Sequence, residues 1–323
     1  DEGSEAVLLL ERTPFYAESG GQVGDTGVIL ARGAEFEILD TIKIAGAYHG
    51  HIGRLKMGSL KVGARAVARV DVARRESIVL HHSATHLMHA ALKEVLGAHV
   101  EQRGSLVAPD HLRFDFTHPR AVTPEELAEV ERMVNREIRV NPASDVRVMD
   151  FDDALETGAT ALFGEKYGDR VRVMKFGDFS VELCGGTHVD RVGDIGQFKI
   201  VEESAIAAGI RRIVAVAGEA AVEQVQTMDT QLKNLAGVLK IAPDAMEDRL
   251  HQILDRSKSL EKELEELKSK MASASGDEMA GSAVETNGIK VLAARMDDVE
   301  PKALRDTVDR LKDKLGTSIV VIG

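Results

Sequence analysis

Between residues 6 and 70, short apolar runs at 7–10, 28–30 and 36–44 are separated by glycine-bearing turns, which predicts a small antiparallel β domain. Within it Val62, Ala64, Ala66, Ala68 and Val70 alternate with Arg65, Val67 and Arg69. That period of two marks a strand with one covered face and turns the arginines toward solvent or a ligand. The period then lengthens. Asp71 is placed to cap a helix and Gly97 to stop it, and along this stretch Leu80, Ala84, Leu87, Ala91 and Val95 form one apolar stripe. His82, His86 and His89 form a second stripe roughly opposite, while His81 points elsewhere.

Two alternating strands follow, in VEQRGSLV and LRFDFTH, joined at Ala108-Pro109-Asp110. TPEELAEVERMVNREI predicts a second helix, with Thr123 as N-cap, Pro124 in the first turn and Glu126 completing a capping box. Further strands are predicted at 146–149, 171–176, 180–183, 197–201 and 211–216. Strands in runs with few helices between them give an α+β fold class, with a β-barrel-like N-terminal domain over 1–75 and a ligand-bearing α+β domain over 76–218. Residues 219–240 and 243–273 read as helices, the second carrying Leu250, Ile253, Ser257, Leu260, Leu264, Leu267 and Met271 at alternating steps of three and four. That seam either folds back on the preceding helix, the preferred expectation for 219–274, or pairs in trans as a homodimer. A Gly/Ser/Ala-rich linker is expected over 275–287. A strand–helix–strand piece over 288–323 is too small to fold alone and reads as the truncated start of an α/β domain.

Composition narrows the class. The 323 residues are 44% hydrophobic and 29% charged, and no apolar run approaches the ~20 residues of a membrane helix. No membrane partner is expected. With one cysteine there is no intrachain disulfide, and no export signal opens the chain, so a reducing, cytoplasmic setting is expected. A net charge of −12 argues against indiscriminate nucleic-acid binding. A local basic run remains, however: Lys43, Arg54, Lys56, Lys61, Arg65, Arg69, Arg74 and Arg75 face a single acid, Asp71, between 41 and 75. A polyanion partner and a solvated charged face both fit it.

The sole cysteine, Cys184, stands four residues before His188 across Gly185-Gly186. His82 and His86, at i and i+4 on a helix, can close on one ion, and with Cys184 and His188 they make four borderline-soft ligands suited to Zn²⁺. The other reading is a polar cluster with an inert buried thiol. A zincin-type protease needs a glutamate inside its histidine pair; here that interior is Ser83-Ala84-Thr85, which disfavours peptide hydrolysis.

TPFYAESGGQVGDTG at 13–27, HSATHLMHAALKEVLGAHVEQRGSLV at 82–107, FGEKYGDRVRVMKFGDFSVELCGGTHV at 163–189 and GIRRIVAVAG at 209–218 together resemble the editing region of the alanyl-tRNA synthetase family. The likeness runs over nearly the whole chain and includes the start of that family's C-terminal domain, but not its aminoacylation core. It implies a deacylase that removes serine, and also glycine, from the tRNA for alanine, with zinc held by His82, His86, Cys184 and His188. A site sized for alanine rejects serine only about 10²-fold, so a second site must hydrolyse the errors. The resemblance implies that Thr85 senses the serine hydroxyl and that Gln102 takes part in editing. Gly20, Gly21 and Gln22 lie in a glycine-dense segment whose amides could approach the ester or the terminal adenosine; as a plain alternative they form a turn cluster. Those three residues also match the tripeptide of peptide-release factors, which hydrolyse a related tRNA ester. Arg65 and Arg69 are the expected tRNA contacts. Whether the zinc activates water or positions the aminoacyl end stays open, as do a free-standing trans-editing protein and a tRNA-binding module with structural zinc.

Overall fold

The computed structural model describes residues 2–161, 168–296 and 301–323. The chain divides into two compact units, Asp1–Met228 and Asp229–Gly323. The first unit opens with strands β1 (Glu5–Leu9), β2 (Gly27–Ala31), β3 (Ala34–Ile44), β4 (Tyr48–Met57) and β5 (Ala66–Val70), antiparallel in the order β1-β4-β3-β2-β5. The expected β-barrel does not close, because no ladder joins β1 to β5. Bulges between Glu35 and Phe36 and between Ile38 and Asp40 bend the long β3–β4 ribbon. The curved sheet wraps a core of Phe15, Ile29, Phe36, Ile38 and Leu55. Leu8, Ala68 and Val70 reach it from the edge strands, and Leu10 and Leu60 from the connections complete it without further strand pairing.

Helix α1 (Val72–Leu96) runs to its expected limits: the Asp71 side chain accepts from the Arg74 amide, and Gly97 ends it with φ 115°. Both stripes of this helix are buried, since every residue from His81 to His89 is covered. It lies on β6 (Gln102–Val107) and β7 (Leu112–Thr117) and against α2 (Pro124–Val140). The α2 capping box forms as read, with the Glu126 amide donating to Thr123 Oγ1 and Glu126 Oε2 accepting from the Thr123 amide. Next come β8 (Ser144–Asp150), α3 (Phe151–Glu156), β9 (Arg170–Phe176), β10 (Ser180–Leu183), β11 (Phe198–Ala207) and β12 (Ile210–Ala217). They make two antiparallel sheets, β10-β9-β8 and β11-β12-β7-β6. The main core is their shared interior, where Leu87, Met88 and Leu92 of α1 meet Phe114, Phe116, Phe176 and Phe198. Two separate cores, one around Phe36 and one around Leu87, thus lie within one compact unit.

Helix α4 (Glu219–Leu239) leads into the second unit, which contains α5 (Met246–Ala280), β13 (Val284–Thr286), β14 (Ile289–Ala294), α6 (Pro301–Leu315) and β15 (Ser318–Ile322). Two expectations change here. The segment expected as a linker is largely helix and strand: α5 continues to Ala280 and β13 follows. One glycine, Gly276, costs about 1 kcal/mol and does not stop a helix already 30 residues long by that point, with Ala272, Ala274, Glu278, Met279 and Ala280 as good helix formers on either side. The seam of α5 is also uncovered, Leu250, Ile253, Leu260, Leu264, Leu267 and Met271 being 41–71% exposed, and within the second unit Leu232 and Leu235 of α4 are exposed as well, so the preferred back-folded packing is not formed there. Instead Met279 and Ala280, at the end of α5, meet Leu292, Leu311 and Leu315 around a parallel β14–β15 pair crossed by α6. Among the described residues no helix is long and apolar enough to cross a membrane.

Candidate metal centre

Helix periodicity sets the first half of the site. One turn apart on α1, the His82 and His86 rings stack at 5.1 Å between centroids, inclined by 13°. The second half is the turn after β10. Cys184 follows the last residue of that strand, and its amide donates to Arg172 O at 2.9 Å, which anchors the turn to β9. Arg172 Nη1 in return donates to the carbonyls of Cys184 at 3.1 Å and Gly186 at 2.6 Å. This folding brings His188 within 4.4 Å of His82 and 5.0 Å of His86, centroid to centroid. Cys184 Sγ lies 3.4 Å from His82 Nε2 and 3.3 Å from His188 Nε2. One donor atom from each of the four residues falls within 4.8 Å of the others, so the group could hold a metal ion.

The outer nitrogens of the rings are held from behind. Glu182 Oε2 accepts from His86 Nδ1 at 2.5 Å and Oε1 from His89 Nδ1 at 2.7 Å. Gln22 Oε1 lies 2.6 Å from His82 Nδ1, and Ser83 Oγ lies 3.5 Å from His188 Nδ1. A carboxylate can only accept, so the bond to Glu182 puts a proton on His86 Nδ1. His86 Nε2 is buried with no partner among the described residues, an orphan that a metal would satisfy. Three imidazoles and a thiol are the donor chemistry of zinc.

The charges agree with a site for a cation. Burial alone would raise the Cys184 thiol, but His82 and His86, with hydrogen bonds from His188 and His82, hold it well below its ordinary value. Burial would likewise raise Glu182, yet His86 and His89 lower it. Burial opposes protonation of His86, but Glu182 and Cys184 outweigh it and raise that group to about 10. Burial and the neighbouring His82 push His188 down to about 3 and keep it neutral. A thiolate and a carboxylate therefore flank the His86 imidazole, an arrangement that suits a cation.

His82 and Cys184 also line a cavity of ≈ 530 Å³ whose other walls include Ser19, Gly20, Lys43, His49, Arg170 and Arg172. Thr85 and Gln102 are not among its lining residues. Thr85 is buried, and its hydroxyl donates to the His81 carbonyl one turn back. Gln102 opens β6 opposite Phe116 in the ladder, on the face that α1 covers. Gly20 and Gly21 adopt left-handed backbone, φ 58° and 83°, and a Cβ on Gly21 would lie 2.7 Å from Ser105 O, so they let the segment press onto β6. Gln22 is fully buried. Arg65 precedes β5 and Arg69 lies on it, both exposed as the alternation requires. The basic run is less free than its composition suggests. Glu37 of β3 takes Arg54 and Lys56, and the buried Asp25 takes Arg75.

The support behind the ligands was not read from the sequence: Glu182 and Ser83 were not expected at the site, and Gln22 was expected there only as part of a segment approaching the substrate. Glu182 carried a usable signal, two positions before Cys184 at a strand end and hence on the same face. Gln22 and Ser83 carried none, because their partners are distant in sequence.

The family described as the second additional domain of threonyl and alanyl tRNA synthetases matches residues 171–214, and the class II (A) tRNA synthetase family matches 1–74. The chain is 55% identical over 321 residues to an alanine–tRNA ligase of Bordetella avium, 54% over 321 residues to one of Paraburkholderia phytofirmans and 51% over 322 residues to one of Stenotrophomonas maltophilia. These alignments cover 99–100% of this chain and 36–37% of each relative, so the chain spans little more than a third of the relatives' length.

The two glycines of the cysteine turn separate packing from flexibility. A Cβ on Gly186 would lie 2.1 Å from His82 Cε1, whereas one on Gly185 would meet nothing within 4 Å among the described residues. Gly186→Ala is expected to displace His82 and weaken zinc binding at least about tenfold, comparable to losing ligand support. Gly185→Ala should leave it near the parent value, as read by competition with a chromophoric chelator.

Proposed function

This chain is homologous along 99% of its length to a region of the alanine–tRNA ligases, and from that premise we propose that it is an aminoacyl-tRNA editing hydrolase. It cleaves the ester joining serine, and also glycine, to the tRNA for alanine, at a zinc centre of His82, His86, Cys184 and His188. The observation that carries this reading is that two of the four converging donors, His82 and Cys184, line a cavity whose walls also bear Lys43, His49, Arg170 and Arg172. Such a cavity suits an acyl group arriving on an anionic backbone. Bound zinc would supply a cation that holds and polarises the aminoacyl end.

The chain's own groups do the rest. Lys43, Arg170 and Arg172 concentrate positive potential beside the site, where the phosphodiesters of an acceptor end would approach. Arg172 holds the cysteine turn through two carbonyls, so one residue links the cavity wall to the ligand geometry. The site should favour serine by offering its hydroxyl a partner that alanine leaves unused. Thr85, although buried and outside the cavity lining, is the proposed partner, which requires the acyl end to pass beyond His82. Its own proton is committed to His81 O, so it would act as acceptor. Gln102 is the proposed second editing residue.

One feature favours a second reading. Four protein ligands make a closed set of the structural kind, which fits a tRNA-binding module without turnover. Hydrolysis of Ser-tRNA and Ala-tRNA, both on the tRNA for alanine, by the parent chain and Cys184→Ala separates the two, with bound zinc quantified in each. Selective loss of the serine ester by the parent, abolished with the metal in the variant, is the expected result. Turnover of neither ester by a zinc-loaded chain that still binds tRNA would replace editing with the binding module.

The exposed Arg65 and Arg69 are the proposed phosphate contacts. Arg65→Glu with Arg69→Glu should weaken tRNA binding and lower the salt slope of log K by about 1–2. An unchanged slope would remove them from the interface.

A further inference from the structure

Gln22 is 0% exposed, and every partner of its side chain belongs to the metal centre. One amide atom lies 3.0 Å from the Thr187 backbone N–H and 2.6 Å from His82 Nδ1; the other lies 2.9 Å from Thr187 Oγ1. A backbone N–H can only donate, so the atom facing it must be the amide oxygen, Oε1. An oxygen at 2.6 Å then requires the proton of His82 on Nδ1. This leaves the Nε2 lone pair facing Cys184 Sγ, 3.4 Å away. A backbone donor thus fixes the orientation of Gln22, and Gln22 fixes the tautomer of His82.

The segment that delivers Gln22 is itself pinned to β6. Val107 N–H donates to Gly21 O at 2.7 Å and Val23 N–H to Val107 O at 3.1 Å. Gly186 fits beneath the same pair, since a Cβ there would meet both the His82 ring and Gln22 Oε1.

We propose that Gln22 is a positioning residue: it holds His82 as an Nε2 metal ligand and ties the Cys184–His188 turn to the same point, so that the β1–β2 connection completes the metal centre. The inference rests on the metal-binding part of the function proposed above and not on hydrolysis. It extends the role expected for the Gly20-Gly21-Gln22 segment from substrate approach to support of the ligands. It also makes metal binding and seating of residues 19–23 reciprocal, each strengthening the other.

The test compares the parent chain with Gln22→Met, which keeps length but loses both amide functions, and Gln22→Glu. In Gln22→Glu one carboxylate oxygen can still accept from His82 and the Thr187 amide, and the other from the Thr187 hydroxyl. Zinc affinity is measured by chelator competition, and the His82 tautomer by long-range ¹H–¹⁵N correlation of the imidazole, with and without zinc. The expected results are Nδ1–H in the parent in both states, about 10–100-fold weaker zinc binding by Gln22→Met, and near-parent affinity for Gln22→Glu. Amide exchange at Thr187 and Gly21 to Val23 should slow when zinc is added to the parent, a readout that needs no variant. An Nε2–H tautomer in the metal-free parent, or no zinc-dependent protection of those amides, would overturn the proposal. So would Gln22→Met within about twofold of the parent, or Gln22→Glu as weak as Gln22→Met. A parent chain that binds no zinc would overturn the metal reading itself, an outcome distinct from all of these.

Discussion

One turn of α1 places the imidazoles of His82 and His86 in the interior, and much of the first unit is arranged around what that burial requires. A buried donor or acceptor without a partner costs about 1–3 kcal/mol. The rings receive Gln22 from the β1–β2 connection, Glu182 from β10, and Cys184 and His188 from the turn after it. The flanking histidines follow the same rule: His81 Nε2 accepts the Ala217 amide of β12, and His89 shares Glu182. Three sheets are thereby tied to one helix through polar contacts, while Leu87, Met88 and Leu92 supply the apolar packing. Among the described residues His86 Nε2 and His89 Nε2 stay unpartnered on this face, and for His86, which belongs to the four-donor group, a cation would satisfy it.

The local grammar of the chain was readable because it depends on neighbours. Asp71 and Gly97 bound α1, Thr123 and Glu126 start α2, and the alternating segments become β6 to β10 and β12 close to their expected limits, while β11 runs on to Ala207, six residues past its own. The ligand set was readable for the same reason: His82 with His86 and Cys184 with His188 are each four residues apart, and no other cysteine competes for the role.

What escaped the sequence depends on tertiary pairing. Whether a sheet closes is a matter of which edges meet, and the alternation in β1 and β5 is the same in an open sheet and in a barrel. Gln22 acts on a residue 60 positions away, which no local spacing announces, and Glu182 on one 96 positions away, announced only by its place two residues before Cys184. The basic run lost part of its apparent charge to Glu37 on the neighbouring strand and to Asp25. Residues 272–280 look like a linker by composition, but helical residues around a single glycine keep α5 intact.

The proposed chemistry and the support from Gln22 and Glu182 both presuppose that the metal centre holds an ion. X-ray absorption on the zinc-loaded chain tests that claim most directly. The expected spectrum is one sulfur at about 2.3 Å and three nitrogens at about 2.0–2.1 Å, with Cys184 protected from alkylation. A chain that takes up no stoichiometric zinc, or one whose bound zinc shows no sulfur while Cys184 alkylates freely, would contradict it.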